Sequence, residues 1–304
     1  MDILKAMQSF VAVADKDGFA AAARFLRLSP PVVTRDIAAL EARFGCKLMH
    51  RTTRQVRLTE AGHRYLSDAR RILAEVAEAE ASVVGSHGGL RGPIAVTAPA
   101  MFGRLYTGPA IADFARQHPD IVFTTLFLDR VVDLIEEGID VAVRIARLPD
   151  SSATAIRVGA VRHILCAAPD YLDAHGMPRT PRDLGSMEAV DVLGSRLPWS
   201  LRDGGRTLSV HPPTRLVANS VEMAIEAASA GCGVVKLLSY QAADAIAAGR
   251  LMPILQAFEP EPVPVHVVHL EGRASPRRTR VFLDYLVANL RSQQTLKQAG
   301  ERSA

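Results

Sequence analysis

The chain has 304 residues and 48% of them are hydrophobic, so it is long enough and apolar enough for two or three domains with buried cores. Ten Lys/Arg and six Asp/Glu fall in residues 1–60, whereas the remainder carries 26 of each, so the net charge of +4 lies in the first fifth of the chain. This asymmetry favours a small domain that binds a polyanion, followed by a larger neutral domain.

Membrane, metal and disulfide signals are missing from the sequence. No apolar run reaches the length of a membrane span, and the N-terminus has no signal-peptide pattern. The cysteines lie far apart without a C-x-x-C motif, and the nine histidines form no metal-ligand cluster. We therefore expect a cytoplasmic protein without metal or cofactor, in which Cys46, Cys166 and Cys232 are small, buried, reduced side chains. A redox-sensing pair of Cys166 and Cys232 is the alternative.

The stretch LSPPVVTRDIAALEARFG (residues 28–45) predicts a helix that begins at two prolines and ends at Gly45. Ser29 offers an N-cap, and Pro30 falls at the first helical position, where a missing N–H costs no hydrogen bond. Pro31 lies in the first turn, whose N–H groups also lack intrahelical partners. Apolar side chains at helical spacing form the inner face, namely Val33, Ile37, Leu40 and Phe44.

Two shorter helices, predicted over residues 3–15 and 20–26, precede this helix and complete a helix-turn-helix pattern. Its outer face carries short or cationic side chains that suit close approach to a DNA major groove, namely Pro31, Thr34, Arg35 and Ala38. An ordinary amphipathic helix with a solvated arginine is the alternative interpretation of this helix alone.

A basic hairpin is predicted directly after the helix, at CKLMHRTTRQVRLT (residues 46–59). Two short extended runs flank His50-Arg51-Thr52-Thr53-Arg54, which is the expected form of a wing whose arginines enter a minor groove or bind phosphates. We therefore predict a winged helix-turn-helix over residues 1–59 that binds double-stranded DNA. Its candidate contact residues are Ser29, Pro30, Pro31, Val32, Thr34, Arg35, Arg51, Thr52 and Arg54.

Thr59 caps a predicted helix over residues 60–84, which would be about 37 Å long. Its apolar residues recur near a 3.5-residue period, and it is too long and too exposed to belong to a small compact domain. We therefore predict a dimerising coiled coil. Its candidate dimerisation residues are Tyr65, Ile72, Val76 and Val83. Residues 85–93 form a glycine-rich linker.

From residue 94 onward strands alternate with helices, which predicts an α/β domain with mainly parallel sheets. Strands are predicted at residues 94–98, 122–128, 140–145, 163–168, 216–218, 234–238 and 263–269. Helices are predicted near residues 109–117, 131–137, 221–230, 239–248 and 276–290. Ligands of such sheets bind beyond the carboxyl ends of the strands.

One predicted strand end has the composition of an anion site. Thr97-Ala98-Pro99 closes the first strand and leads into a helical turn, so that a hydroxyl group and free helix N–H groups converge. Phe102 and Leu128 would add an apolar wall. Arg144 on the third strand, or Lys236 from the other lobe, would supply a counter-charge. This composition favours a small organic acid. The alternatives are that Arg144 pairs with an acid such as Asp129 and that Lys236 extends into solvent.

Taken together, these motifs resemble the LysR-type transcriptional regulators over nearly the whole chain. The N-terminal match runs from FVAVADKDGFAAAARF through the prolines to RTTRQVRLTEAGHRYL. The C-terminal match includes LRGPIAVTAPAMFGR, DRVVDLIEEGIDVAVRI, LPDSS and LCAAPDYLDAHGMPRTPRDL. The resemblance implies a cytoplasmic DNA-binding regulator that is a homotetramer, a dimer of dimers joined through antiparallel coiled coils, with RNA polymerase as a further candidate partner.

The resemblance also implies a domain plan and an effector site. Residues 60–89 would form the linker helix and hinge, and residues 90–304 an effector-binding and oligomerisation domain with two lobes of the periplasmic-binding-protein type. Lobe I would span about 90–161 and 266–293, and lobe II about 162–265. A small-molecule effector between the lobes would contact Asn219 and Ser220 and change the angle between the DNA-binding pairs.

The sequence departs from the family pattern at several positions, including Pro31 and Leu238. Three further departures fall at candidate contact residues or beside them. Asp36 stands where glutamine is common after Arg35, which puts a carboxylate beside the groove. Leu128 replaces the usual serine or threonine and removes one expected ligand hydroxyl. Lys236 interrupts the otherwise apolar run at residues 234–238.

Two other classes of function compete with a regulator. A solute-binding protein without regulatory DNA binding would account for residues 94–290, but the N-terminal winged helix argues against it. An enzyme is not expected, because no G-x-S-x-G elbow occurs and Ser195 is not followed by a helix start. His163 and Cys166 would lie on opposite faces of one strand, which argues against a thiol nucleophile with a histidine base.

Overall fold

The structure, a computed structural model, describes residues 2–51, 56–83, 89–148, 153–194, 198–270 and 276–301. Its N-terminal part consists of α1 (Ile3–Asp15), α2 (Phe19–Leu26), α3 (Pro30–Phe44), β1 (Met49–Arg51), β2 (Val56–Leu58) and α4 (Glu60–Val83). The two strands pair antiparallel, with Met49 opposite Leu58. The predicted helix-turn-helix, hairpin and long helix are confirmed.

Capping side chains and left-handed residues set the helix ends. Asp2 Oδ1 accepts a hydrogen bond from the backbone N–H of Leu4 at the start of α1. Gly45 ends α3 with φ +67°, a conformation that glycine adopts without strain. Thr59 Oγ1 accepts from the N–H of Gly62 at 2.9 Å, so the predicted cap of the long helix is confirmed.

A single small core holds the N-terminal domain together. Most of its fully buried members come from the first three helices, including Ala6, Phe10, Val13, Val33, Ile37 and Leu40. Phe44 was expected on this inner face but is 42% exposed, because it is the last residue of α3 and lies beyond the edge of the core. Its ring packs edge-on against Tyr65 of α4, with centroids 4.8 Å apart.

Lobe I of the effector domain contains a sheet with helices on its surface. Its elements are β3 (Gly92–Ala98), α5 (Ala100–Phe102), a π-helical turn (Gly103–Thr107), α6 (Gly108–Gln117), β4 (Ile121–Phe127), β5 (Val141–Ile145), β6 (Ala153–Val161), β14 (Val263–Leu270), α10 (Arg277–Ser292) and α11 (Gln294–Glu301). None of the helices in the described ranges has the length and hydropathy of a membrane span.

Lobe II is the segment inserted between β6 and β14. Its elements are β7 (His163–Ala167), α7 (Pro169–His175), a 3₁₀ helix (Pro181–Ser186), β8 (Ala189–Val192), β9 (Trp199–Asp203), β10 (Arg206–Val210), β11 (Thr214–Ala218), α8 (Val221–Ser229), β12 (Val234–Leu238), α9 (Ser239–Ala247), β13 (Met252–Ile254) and a 3₁₀ turn (Gln256–Phe258).

The two lobes share one sheet plan. The strand order is β4-β3-β5-β14-β6 in lobe I and β11-β8-β12-β7-β13 in lobe II. In each sheet the first three strands are parallel and the last two run antiparallel to their neighbours. The expectation of mainly parallel sheets was therefore wrong for half of the pairings. In each lobe one strand, β14 or β7, runs opposite to all the others and lies between two of them, so both of its pairings are antiparallel.

Two chain crossings form a hinge between the lobes. The first passes through Arg162, whose carbonyl accepts from the N–H of Ser239 at 2.8 Å. The second follows β13 and contains Glu259, which forms an ion pair with the Arg162 side chain. Strand β14 pairs with lobe I from Val263 onward, opposite Val161. The expected boundary at residues 265/266 falls inside this strand, and we place it before Val263.

The helix predicted at residues 131–137 does not form. Asp133 Oδ1 accepts from the N–H groups of Ile135 and Glu136 at 2.9 and 3.0 Å, which closes a local turn in place of a helix. Gly138 follows with φ +63°. The sequence pattern also missed β6, α7, β8, the β9–β10 hairpin, β13 and α11, which are short elements or lack a clear period.

Candidate DNA-binding and effector-binding sites

Helix α3 presents one face to the core and the other to solvent. Pro30 and Pro31 occupy its first two positions, and both are exposed together with Ser29, Arg35 and Ala38. Val32 and Thr34 are half-buried beside them. Ser29 stands at the N-cap position, but its side chain makes no capping hydrogen bond, so the cap expected from its hydroxyl is absent. The prolines account for the sharp start of the helix without it.

The carboxylate of Asp36 does not lie free beside the groove. Its Oδ2 accepts a hydrogen bond from the hydroxyl of Ser9, a fully buried residue of α1, at 2.8 Å. The bond directs the carboxylate toward α1, and not freely toward the groove beside which it was expected. It also ties α3 to α1, which holds the exposed face of α3 in a defined orientation.

The hairpin that follows α3 carries basic residues on both strands. Arg51 is the last residue of β1 and lies opposite Val56 in the register, while Arg57 of β2 is exposed. Thr52 and Arg54, two of the predicted wing contacts, lie outside the described residues. A shallow groove separates α3 from the hairpin and is lined by Thr34, Ile37, Ala38, Glu41, Lys47, Met49 and His50.

The predicted dimerisation stripe on α4 divides into two parts. Tyr65 packs against the core of its own domain, with its ring centroid 5.2 Å from that of Phe10, but it is only partly buried there, so its place in a subunit interface stays a prediction. The burial pattern extends the domain core up the first turns of α4. Ile72 and Val76 lie beyond that core and are only partly buried, and for Val83 only the helical backbone is described.

Several predicted effector residues meet at the carboxyl ends of the lobe I strands. Thr97, Ala98, Pro99, Leu128 and Arg144 line one cavity of about 150 Å³. The cavity also has lining residues that were not among the predicted effector residues, namely Asp129, Arg130, Val131, Val132, Val143, Ile145 and Ala146. Their position after β4 and within β5 was the signal that would have found them.

The polar groups of this cavity are bonded within the chain. The Thr97 hydroxyl donates to the carbonyl of Leu126 at 2.6 Å, which uses its single proton, so it cannot also donate to a ligand. The N–H of Ala100, at the start of α5, donates to Asp129 Oδ1 at 3.0 Å. A carboxylate of the chain therefore occupies the place that was predicted for an anionic ligand.

The Arg144 guanidinium also has a partner inside lobe I, but not the one expected. It donates to the backbone carbonyl of Val132 and not to Asp129. Arg130, next to the cavity, forms a bidentate ion pair with Glu137, with both N–O distances at 2.7 Å. Both arginines at this cavity, Arg130 and Arg144, therefore have partners within lobe I.

Phe102 belongs to the packing between the lobes and not to a cleft wall. It is 0% exposed, and its ring lies 4.9 Å from that of Tyr106 and 5.3 Å from that of Tyr240 in α9 of lobe II. The next residue, Gly103, begins the π-helical turn and lies directly against the ring of Phe127. The expected apolar wall at this position was wrong.

The lobe II candidates lie apart from the lobe I cavity. Asn219 is exposed, and the Ser220 hydroxyl caps α8 by accepting from the N–H of Met223 at 3.2 Å. Lys236 lies on β12, the middle strand of the lobe II sheet, and is mostly buried. None of these three residues lines the cavity that contains Thr97 and Arg144.

The three cysteines differ in exposure, and the described ranges contain no metal-ligand group. Cys166 is fully buried, and burial raises the pKa of its thiol to about 12, which keeps it protonated. Cys232 is partly buried, whereas Cys46 is exposed, contrary to the expectation that it is buried. No group of three or more His, Cys, Asp or Glu side chains is suitably arranged for a metal ion among the described residues.

A winged helix-turn-helix joined by a long helix to a hinged, two-lobed domain defines a ligand-responsive DNA-binding protein. The chain matches the model for the "Bacterial regulatory helix-turn-helix protein, lysR family" over residues 4–63 and that for the "LysR substrate binding domain" over residues 87–291. The chain belongs to the LysR family: it is a LysR-type transcriptional regulator with an effector-binding domain.

Relatives and solved structures agree with this assignment over most of the chain. It is 32% identical over 285 residues to the regulator CrgA of Neisseria meningitidis serogroup B, covering 92% of this chain and 95% of CrgA. It is 30% identical over 302 residues to the uncharacterised regulator YhjC of Escherichia coli K12, covering 94% and 97%. The CrgA structure superposes with a TM-score of 0.60, 31% identity and coverage of 94% and 98%. The Vibrio cholerae virulence activator AphB, 24% identical with a TM-score of 0.61 and coverage of 94% and 98%, shares the fold.

Proposed function

We propose that this regulator binds double-stranded promoter DNA with the exposed face of α3 in a major groove. The observation that carries the proposal is the division of α3, in which Val33, Ile37 and Leu40 are buried while Pro30 and Arg35 are exposed. The short side chains on the exposed face allow close approach of the backbone. The remaining proposed contacts are Ser29, Pro31, Val32, Thr34, Arg51, Thr52 and Arg54.

The test compares two arginines with different proposed roles. Arg35→Ala should weaken operator binding by about 1–3 kcal/mol and relax sequence preference, because Arg35 reaches base edges. Arg54→Ala should weaken specific and non-specific sites alike and flatten the salt dependence. Arg64→Ala, an exposed arginine on α4, is the matched control. Wild-type affinity after Arg35→Ala in a mobility-shift titration would contradict the role of α3.

We infer that the protein assembles through α4, as a dimer and then as a dimer of dimers. Ile72 and Val76 support this, because they are apolar, only partly buried and lie on one face beyond the domain core. Val76→Glu should reduce the sedimentation coefficient and weaken operator binding, because a charge would enter the interface. Glu80→Gln, an exposed change on the same helix, should have neither effect. An unchanged sedimentation profile for Val76→Glu would exclude this interface.

We propose a small organic acid as the effector, bound between the lobes. The support is the hinge built from two crossings, the cavity at the strand ends of lobe I, and the cations Arg144 and Lys236 on the two middle strands. A bound acid would change the angle between the DNA-binding pairs and so the access of RNA polymerase to the promoter. A bound effector stabilises the fold by roughly 2.7 kcal/mol at a hundredfold excess over its Kd.

A thermal-shift screen tests the effector class. Carboxylates should raise the Tm of the wild-type protein, and the corresponding amides should not. If only neutral or cationic compounds raise the Tm, the organic-acid proposal is wrong. Operator binding with and without each stabilising compound then distinguishes a regulator from a solute-binding domain that leaves DNA binding unchanged.

A further inference from the structure

Lys236 is a mostly buried charge on the middle strand of the lobe II sheet. Strand β12 is paired on both sides, with β7 and β8, and its other residues Val234, Val235, Leu237 and Leu238 are all apolar. Burial lowers the pKa of Lys236, which expresses the cost of holding an ammonium group there. Lysine is among the residues least often buried without a partner.

Two polar residues share its face of the sheet. His163 lies opposite Leu238 in the register of β7 and β12, so it is the diagonal neighbour of Lys236. Strands β8 and β12 are parallel, and Val190 of β8 lies opposite Val235 of β12. The next residue on each strand is Asp191 and Lys236, so these two lie side by side. These three side chains form what we call the lobe II polar group.

The lobe II polar group leaves its cation without a bonded partner. Asp191 Oδ2 accepts from the Thr214 hydroxyl at 2.7 Å. Among the residues that the structure describes, none makes a hydrogen bond or an ion pair with the Lys236 ammonium group, although Asp191 is close enough to raise its pKa. Burial, and then the charge of Lys236, lower the pKa of His163 to about 4, so the imidazole is neutral at neutral pH.

This group lies at the hinge end of lobe II. His163 follows Arg162 of the first crossing, and Lys236 precedes Ser239, which donates to the Arg162 carbonyl. Both parallel strands of the group approach their carboxyl ends here, the edge at which α/β sheets bind ligands. An anion at this point would provide the missing partner for the ammonium group.

We propose that Lys236 binds the carboxylate of the effector and that His163 selects an acid with a neutral hydrogen-bonding group, such as a hydroxyl, next to that carboxylate. The inference rests on the proposed organic-acid effector and moves its anchor from lobe I, where the candidate donors Thr97 and Ala100 are already bonded, to lobe II. A neutral imidazole both donates and accepts, which suits a hydroxyl better than a second anionic group.

The first experiment measures ligand affinity by thermal shift on the full chain. Lactate should raise the Tm more than propionate, which lacks the hydroxyl group, and lactamide should have no effect. Lys236→Met should weaken lactate binding at least about tenfold, because a hydrogen bond to a charged group is lost. Lys236→Arg should retain part of the affinity. Lys297→Met, an exposed lysine of α11, is the matched control and should bind as wild type does.

A companion variant tests the selective role of His163. His163→Leu should remove the preference for lactate over propionate while propionate binding through Lys236 persists. Equal preference in His163→Leu and wild type would overturn the role of the imidazole.

The second experiment keeps the wild-type chain and so does not depend on the folding of a variant. Acylation by the N-hydroxysuccinimide ester of acetic acid is followed at each lysine by mass spectrometry, with and without lactate. Lactate should slow acylation of Lys236 and leave Lys297 unchanged. If acids raise the Tm but never slow acylation of Lys236, the anchor is wrong and the proposed organic-acid function stands. If no acid raises the Tm or protects Lys236, both are wrong.

Discussion

The two lobes are built on one strand plan, and each carries a single basic residue on its middle strand. In lobe I this is Arg144 of β5, which donates to the Val132 carbonyl. In lobe II it is Lys236 of β12, for which no bonded partner occurs among the described residues. The strand end of lobe I is also internally bonded, because the Thr97 hydroxyl donates to the Leu126 carbonyl of its own sheet.

The difference indicates which lobe has a polar group available to bind a ligand. A bonded polar group at a strand end stabilises the fold and is costly to divert to a ligand, because its first partner is then left unsatisfied. An unbonded, mostly buried cation destabilises the free protein and gains the most from a ligand. On this basis, lobe I contributes shape and lobe II contributes charge to the proposed cleft.

The largest effect expected from this comparison is a dependence of stability on pH that originates in lobe II. His163 has a pKa of about 4 in the folded protein, against an ordinary histidine value of 6.5, so the unfolded chain binds the extra proton between these values. Stability should therefore fall as pH drops through this window, by about 3 kcal/mol in all. Urea unfolding, followed by the fluorescence of the single tryptophan, Trp199, measures it.

His163→Gln is the comparison variant for this measurement. It lacks a group that titrates in the window, so its stability should fall less steeply between pH 7 and pH 4. Equal slopes for wild type and variant would mean that the imidazole is not held neutral, and the contrast between the lobes would lose its electrostatic basis.

Much of the fold follows from local sequence signals. The two prolines, the stripe of Val33, Ile37 and Leu40, and Gly45 are sufficient to predict α3 and its buried face, because they act within one helix. The failures occur where a side chain bonds its own backbone, as Asp133 does in the segment predicted to be helical. A periodic apolar pattern cannot reveal such a bond.

The candidate sites were harder to predict because their partners are distant in sequence. The Thr97 hydroxyl donates to a carbonyl 29 residues away, and Phe102 packs on Tyr240 of the other lobe. Tyr65 has the spacing of an interface residue and also packs against the N-terminal core, a contact that the spacing does not reveal. Only Lys236 carried a signal of its own, a charge in an apolar run, and the structure keeps it in a mostly buried position.

The next largest effect on stability is expected from Asp129→Ala, which should also allow lobe I to bind an anion. Asp129→Ala removes the acceptor for the N–H of Ala100 and should cost about 1 kcal/mol, the usual value for a lost helix cap. The freed helix start should then bind acetate, which would raise the Tm of the variant more than that of wild type. Asp129→Asn keeps an oxygen acceptor and serves as the control. If acetate affects all three proteins equally, the carboxylate of Asp129 does not block this site.

An effect of the same size on stability, but with no change in the response to a ligand, is expected for the hydroxyl group of lobe I. Thr97→Val should destabilise the fold by about 1 kcal/mol, because the Leu126 carbonyl loses its side-chain donor. Lactate should still raise the Tm of the variant by the wild-type increment. Thr125→Val, an exposed change on β4, should alter neither quantity. A lost lactate response in Thr97→Val would return the carboxylate site to lobe I and break the contrast between the lobes.

The smallest effect has the opposite sign. Lys236→Met replaces a mostly buried, unbonded ammonium group with an apolar side chain of similar length, so the ligand-free protein should become more stable, by up to about 1 kcal/mol at pH 7. Because the pKa of Lys236 is lowered on folding, wild type should regain stability as pH rises toward 10.5, and the difference from the variant should shrink. Removing the charge should also raise the pKa of His163, which weakens the acid-induced loss of stability. Urea unfolding at pH 5, 7 and 9.5 measures all three trends. A variant less stable than wild type at pH 7 would mean that the Lys236 ammonium group already has a stabilising partner. Lobe II would then offer a ligand no unpaired cation, and the contrast with lobe I would be lost.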